Sequence, residues 1–149
     1  MPGYDANMEL VDGSADWTYA NLVTSKYGAP TSITRNSGGF VVLKINGTPA
    51  DGLAVVLTLK EANADGDALI AILQGCDDYD FSSSKVHRLA TFEVDAATEG
   101  VVLGSETPIT IIRRFATRLK YVRLYAVCTA SDDFGASVAY LLHGPFEHL

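Results

Sequence analysis

The sequence has little charge and lacks the features that mark several large classes of protein. Of its 149 residues, 19% are charged and 48% are hydrophobic, whereas an average protein has about 25% charged residues. This hydrophobic content excludes a disordered chain, and the glycines show no collagen-like period. No run approaches the roughly 20 apolar residues that a transmembrane helix needs. We therefore expect one globular domain, and its low charge suggests that part of its surface is covered by partners.

Positive charge is especially scarce. The chain carries 11 Lys and Arg against 18 Asp and Glu, a formal net charge of −7, which argues against nucleic-acid binding by bulk electrostatics. The first ten residues, MPGYDANMEL, contain neither a basic segment nor an apolar run, so no signal peptide is expected. We predict that the protein has neither a nucleic-acid partner nor a membrane partner.

Cysteine and histidine are too few and too scattered for a metal or redox motif. Cys76 and Cys128 lie far apart, each within an apolar run, and their spacing matches no zinc or redox motif. They are either two buried thiols in a reducing compartment or a disulfide between neighbouring strands. The three histidines show no H-x-x-x-H spacing, so we predict no metal and no other cofactor.

Catalytic motifs are also absent from the sequence. It contains no G-x-S-x-G, no Walker loop and no G-x-G-x-x-G. A Ser-His-Asp triad has no support in the local sequence. A carboxylate pair for glycoside hydrolysis, drawn from Glu93, Glu99 and Glu106, would need a fixed separation that a sequence does not show. We therefore predict that the protein is not an enzyme.

The sequence consists instead of short apolar or alternating runs, which predict β-strands. Residues 53–60 (LAVVLTLK) and 120–129 (KYVRLYAVCT) alternate between a strongly apolar face and a more polar one. Further strands are predicted at 39–46, 68–76, 86–94, 107–113 and 136–143, with one or two more within 7–11 and 17–25. No stretch of ten residues shows a helical stripe. About eight strands separated by turn signals indicate an all-β, jelly-roll-like β-sandwich.

Residues 1–38 differ from the sandwich domain predicted for residues 39–149. They are weakly patterned, rich in Gly, Ser, Thr, Asn and Asp, and contain several aromatic residues. We predict an extended N-terminal arm that lies against its own sandwich or a neighbour's, with Tyr4, Trp17 and Tyr19 as partner contacts. An ordinary intramolecular strand is the alternative.

The few charges are segregated along the chain. Five of the eleven basic residues lie in one short segment without an acid, which we call the basic segment: Arg113, Arg114, Arg118, Lys120 and Arg123. Residues 61–80 contain six acids and no base, and Asp77, Asp78 and Asp80 form their densest group. We predict that both groups bind partners of opposite charge. The alternatives are pairing of the two segments within one chain and, for the acidic group, a solvated loop or a calcium site.

Two motifs in the C-terminal part resemble those of a family of viral proteins. Residues 70–78 (IAILQGCDD) resemble a V-x-L-Q-x-(S/C)-x-D strand, and residues 120–126 (KYVRLYA) resemble a (K/R)-Y-(V/L)-R-L-x-(Y/A) strand that follows a basic segment. A short polar turn and a final apolar strand at 136–142 complete a likeness that covers about residues 50–143. The chain is thus similar to the jelly-roll capsid cement, or decoration, proteins of tailed bacteriophages.

This resemblance implies a structural virion protein. Such proteins form trimers on the outside of the phage head, bridge neighbouring major-capsid subunits and stabilise the shell. We therefore expect a homotrimer that is made in the bacterial cytoplasm and binds the major capsid protein on the capsid exterior. The alternative is a carbohydrate-binding β-sandwich module, in which Trp17, Tyr19, Tyr79 and Tyr125 would stack on sugars.

Overall fold

The alternating runs of the sequence form strands in the computed structural model, which describes residues 8–12, 42–60, 68–82, 85–95, 109–128, 134 and 137–143. Within these ranges there are eight strands: β1 (Glu9–Asp12), β2 (Leu43–Lys44), β3 (Leu53–Leu59), β4 (Ala68–Cys76), β5 (His87–Asp95), β6 (Ile109–Phe115), β7 (Tyr121–Cys128) and β8 (Val138–Leu142). No helix in the described part of the chain is long and apolar enough to cross a membrane.

Most strand predictions are confirmed to within two residues. β4 has the predicted bounds, and β3, β5, β6, β7 and β8 each overlap their predicted run. β2 covers only Leu43 and Lys44, which pair with β7, and residues 39–41 of its predicted run lie outside the described residues. The run predicted at 17–25 lies outside the described residues.

The pairing of the strands identifies a jelly roll. The two four-stranded sheets have the orders β1-β8-β3-β6 and β2-β7-β4-β5, which we call the first and second sheets. All neighbours are antiparallel. The strand pairs are nested, from the first with the last inward: β1 pairs with β8, β2 with β7, β3 with β6 and β4 with β5. A long hairpin rolled over a core gives this arrangement, so the predicted all-β, jelly-roll-like sandwich is confirmed.

One hydrophobic core fills the space between the sheets. Successive strand residues point to opposite faces, so alternate positions supply this core. The first sheet contributes residues such as Leu57 and Leu141, and the second contributes residues such as Leu73, Phe92 and Leu124, all essentially inaccessible to solvent. The apolar face predicted for residues 53–60 is the one that enters the core.

Each sheet also carries a smaller apolar cluster outside this core. The cluster on the first sheet contains Ala54, Val56 and Leu142, with Ile112 and Tyr140 packed against them. The cluster on the second sheet, which we call the outer cluster, contains Val42, Cys76 and Phe81, with Val86 and Tyr121 packed against them. Each sheet is therefore apolar on parts of both faces.

Part of the segment predicted as an arm belongs to the sandwich. β1 pairs with β8, with Glu9 opposite Tyr140 and Asp12 opposite Val138. This short piece is an intramolecular edge strand of the first sheet, as the alternative anticipated. Tyr4, Trp17 and Tyr19, the proposed contacts of the arm, lie outside the described residues.

Candidate functional site

Five of the charged residues predicted to bind partners lie on connections at one end of the sandwich: Asp77, Asp78, Asp80, Arg118 and Lys120. Three connections meet there: the β2–β3 connection (45–52), the β4–β5 connection (77–86, described at 77–82, 85 and 86) and the β6–β7 connection (116–120). We call their described residues, together with Lys44 at the end of β2, the loop end. Because these connections are far apart in the sequence, only the folding of the jelly roll brings them together.

Backbone hydrogen bonds join two of these connections into one frame. The backbone N–H groups of Ile45 and Asn46 donate to the carbonyl oxygen of Lys120 at 2.8 and 3.0 Å, and that of Gly47 donates to the carbonyl oxygen of Leu119 at 2.9 Å. Asn46 and Gly47 have φ values of 52° and 87°, a left-handed conformation that Asn and Gly tolerate best. The sequence Asn46-Gly47, which is typical of tight turns, thus sets the geometry of the frame.

Two threonines reinforce this frame. The backbone N–H of Thr48 donates to the carbonyl oxygen of Thr117 at 2.8 Å, and the N–H of Thr117 donates to the hydroxyl oxygen of Thr48 at 3.0 Å. The hydroxyl of Thr117 accepts from the N–H of Leu119 at 3.2 Å. Threonine hydroxyls are suited to this role because they compete for backbone groups in turns. The loop end is therefore ordered by its own hydrogen bonds.

The acidic group belongs to the same end of the molecule. The carboxylate of Asp78 accepts hydrogen bonds from the backbone N–H of Asp80 at 3.1 Å and of Ser82 at 3.2 Å, and from the hydroxyl of Ser82. The carboxylate of Asp77 accepts from the backbone N–H of Lys120 at 3.1 Å. Asp77 and Asp78 thus hold the β4–β5 connection together and tie it to the β6–β7 connection.

The described residues of the acidic group do not form a calcium site. No three His, Cys, Asp or Glu side chains within the described ranges form a group that could hold a metal ion. Asp65 and Asp67, two further acids of the 61–80 segment that could join such a site, lie outside those ranges. Asp77 joins the acidic and basic segments within one chain, but through the backbone amide of Lys120 and not through a pair of charged side chains.

Arg123 is not a surface residue of the basic segment. Its exposure is only 7%, its Nε donates to Oε1 of Gln74 at 2.9 Å, and its guanidinium carbon lies 4.0 Å from the centroid of the Phe81 ring. Phe81 has a φ of 53°, an uncommon backbone conformation for a bulky residue. The expectation that Arg123 contacts a partner is therefore corrected: it is buried between β4 and the β4–β5 connection and supports the outer cluster.

The other four basic residues are exposed but occupy different places. Arg113 and Arg114 are neighbours in β6 and therefore point to opposite faces of the first sheet. Arg113 lies 5.9 Å from the ring of Phe92, and Arg114 donates from Nη2 to the carbonyl oxygen of Asp51 at 3.3 Å. Arg118 and Lys120 lie on the β6–β7 connection. The basic segment is continuous in sequence but is not one patch.

A cleft with a volume of about 250 Å³ lies beside the frame. Its lining combines acidic, basic and apolar groups: Cys76, Asp77, Asp78, Lys85, His87 and Leu119. Cys76 is free and buried, and its sulfur accepts the N–H of Asp78 at 3.4 Å. Cys128 pairs with the opposite end of β4, at Leu69, about 23 Å away at the usual rise per strand residue. The two cysteines therefore do not form a disulfide with each other.

The aromatic residues of the sugar-binding alternative are dispersed. Tyr79 is 36% exposed, and its ring packs edge-on against that of Tyr121 with centroids 5.4 Å apart. Tyr125 is half-buried on the outer face of β7. Trp17 and Tyr19 lie outside the described residues. The described residues thus contain one exposed ring at the loop end, on the β4–β5 connection.

Sequence reasoning missed two residues that belong to the loop end, Lys44 and Phe81. Lys44 follows an apolar run, far from the other bases in the sequence, but it pairs with Tyr121, directly after the basic β6–β7 connection. Phe81 follows the acidic group and covers Arg123. A search for sites on neighbouring strands could have found Lys44 only if the β2–β7 pairing had been known. No protein-family model matches the chain, and no curated protein matches it.

Proposed function

We propose that this protein is a capsid decoration protein, which binds the outer surface of a phage head as a homotrimer and stabilises it by bridging major-capsid subunits. In this role it acts through surfaces and holds no cofactor. The shell is a repeating lattice, so many modest contacts add up to strong stabilisation.

The observation that carries this proposal is that the two motifs of the resemblance are adjacent strands in a jelly roll. Residues 70–76 of the first motif lie in β4, and Tyr121–Ala126 of the second lie in β7. The two strands pair along their length, with Gln74 opposite Arg123. The two motifs are thus parts of one structural unit.

Three residues in these motifs have identifiable structural roles. A Cβ atom on Gly75 would lie 2.8 Å from side-chain atoms of both Leu89 and Leu119, so the position requires glycine or movement of both leucines. Gln74 and Arg123 form the hydrogen bond that anchors the outer cluster. Gln74 and Arg123 occupy fixed positions of the two motifs, so the resemblance includes residues that shape the loop end.

The proposal is tested by mixing the purified protein with assembled phage shells that lack it. We expect saturable co-sedimentation with the shells, symmetric added density in electron cryomicroscopy, and shells that resist heating better than bare ones. In solution, sedimentation velocity should give a mass of several chains. A strictly monomeric protein that does not sediment with shells would contradict the proposal.

The exposed ring of Tyr79 favours a second candidate function, the binding of carbohydrate. Sugars stack on exposed aromatic rings, and jelly rolls also occur in lectins. A glycan array probed with the wild-type protein and with Tyr79→Ala distinguishes the two functions. Binding to a glycan that Tyr79→Ala abolishes, together with no binding to shells, would favour the carbohydrate module.

A further inference from the structure

Three exposed cations lie on one hydrogen-bonded frame at the loop end: Lys44, Arg118 and Lys120. Lys44 pairs with Tyr121, the residue after Lys120. The carbonyl oxygen of Lys120 accepts two backbone hydrogen bonds from the chain that follows Lys44. The backbone of Arg118 packs against the turn that follows Lys44: a Cβ atom placed on Gly47 would lie 3.5 Å from the Cα of Arg118. We call these three residues the cation group.

The side chains of the cation group are exposed within the part of the chain that the structure describes. No carboxylate within the described part of the chain forms an ion pair with any of its three side chains, although Asp77 lies beside the backbone of Lys120. The backbone beneath them is already ordered by its own hydrogen bonds, so docking would cost less conformational entropy than docking through a mobile loop. This group of cations stands out in a chain whose net charge is −7.

The surroundings of the cation group suit a folded protein better than a nucleic acid. The carboxyl-bearing residues Asp51, Asp77 and Asp80 are exposed at the same end, and a regular array of phosphates would be repelled by them. A protein surface offers both signs of charge and can match this mixture. Tyr79 adds an exposed ring of the kind that is enriched in protein interfaces.

We infer that the loop end is the face by which this protein docks on an acidic surface of another folded protein, with Lys44, Arg118 and Lys120 as the cations that pair with it. The inference rests on the proposed function, in which the acidic surface belongs to the assembled shell. It goes further by naming the docking face, by adding Lys44 and by excluding Arg123 from the contact.

The test compares two triple variants that remove the same number of positive charges. K44Q/R118Q/K120Q neutralises the cation group, and K60Q/R88Q/R113Q neutralises three exposed bases outside the loop end. Circular dichroism and urea midpoints first establish that both variants fold like the wild type. Affinity for bare shells is then measured at low and at high salt.

We expect K44Q/R118Q/K120Q to bind shells about tenfold more weakly than the wild type at low salt, because three exposed ion pairs of modest strength are lost. The difference should shrink at high salt, where such pairs are screened. The control variant should bind within about twofold of the wild type. Equal weakening of both variants, or none in the first, would overturn the inference while leaving the decoration function standing.

A second measurement decides the matter if the wild-type protein does not bind shells, which would count against the proposed function. Immobilised serum albumin, a folded acidic protein whose surface carries both signs of charge, then serves as the acidic protein surface, and a single-stranded oligonucleotide serves as the comparison. Binding to albumin that depends on the cation group supports the inference. No such binding, or tighter binding to the oligonucleotide, overturns it.

Discussion

The interior between the sheets and the outer cluster of the second sheet are both buried, but they are built differently. The interior consists of aliphatic and aromatic side chains such as Leu73 and Phe92, with regular alternation along each strand. The outer cluster places the charged Arg123 against Phe81, beneath a connection whose backbone is held by Asp78. The first region depends on apolar burial, and the second depends on specific polar and aromatic contacts.

This difference separates two tasks within one small domain. Apolar burial is non-directional and tolerates substitution by residues of similar size, so it suits a core that must hold the sheets together. A buried guanidinium with a hydrogen-bond partner and a ring above it has a single good geometry, so it suits a cluster that must position a connection. We therefore expect changes in the interior to affect global stability and changes in the outer cluster to affect the loop end as well.

The largest effect is expected in the interior. Phe92 is completely buried, and Phe92→Ala should lower the free energy of unfolding by about 3–5 kcal/mol, because it leaves a cavity between the sheets. Ile70→Ala is the matched control in the same sheet, since Ile70 is 44% exposed, and it should cost less than about 1 kcal/mol. Urea unfolding followed by circular dichroism measures both. Similar losses in the two variants would mean that the interior is not the dominant core.

A smaller effect is expected from the buried charge. Arg123→Ala removes the hydrogen bond to Gln74 and the contact with Phe81, and should cost about 2–3 kcal/mol. Arg123→Met keeps most of the apolar stem, so its loss should be about half as large. If Arg123→Met is as stable as the wild type, the charge itself contributes nothing to the cluster. Urea midpoints of the two variants provide the comparison.

The backbone of the loop end provides the next test. Gly52 has a φ of 76°, and a Cβ there would lie 2.5 Å from the carbonyl oxygen of Phe115. Gly52→Ala should therefore cost about 2 kcal/mol, from the left-handed conformation and the clash together. Gly47→Ala has a similar φ of 87° but a nearest contact of 3.4 Å, so it should cost only about 1 kcal/mol. Equal losses in urea unfolding would show that the clash with Phe115 is relieved by a backbone shift.

The smallest effect is expected at the acidic connection. Asp78→Ala removes the acceptor for the N–H groups of Asp80 and Ser82 and should cost about 1 kcal/mol, since both donors can turn to water. Asp78→Asn keeps one acceptor oxygen and should lose about half of that. Limited proteolysis should cut the β4–β5 connection faster in Asp78→Ala than in Asp78→Asn. Unchanged cleavage in both would mean that Asp78 does not order the connection.

The strands could be predicted from the sequence, because alternation along a strand is a local property. The run LAVVLTLK predicts both β3 and the face that enters the core. The run ALIAILQGC predicts the exact bounds of β4. The end of β2 at Lys44 could not be predicted, because it depends on pairing with β7. The alternation of β7 predicts which residues lie on each of its faces, but it does not show that Phe81 covers part of the polar face.

The candidate site could be predicted only in part. Arg118, Lys120 and the acids after β4 were recognised as charged groups, and they do lie at one end of the sandwich. Their neighbour Lys44 was missed, because the residues that join it to Lys120 are brought together by a non-local strand pair. Arg123 was misplaced, because the sequence gives the face of a strand on which a residue lies but not what lies above that face.

The sequence alone determined the alternation of apolar and polar residues, the Asn-Gly turn and the segregation of charge along the chain. These features depend on neighbouring residues, whose spacing is fixed by the geometry of a strand or a turn. Only the tertiary structure decided that Arg123 is buried and that Lys44, Arg118 and Lys120 share one frame, because those outcomes depend on contacts between distant segments. The jelly roll therefore determines where the few positive charges lie. It brings Lys44, Arg118 and Lys120 together at the loop end and buries Arg123.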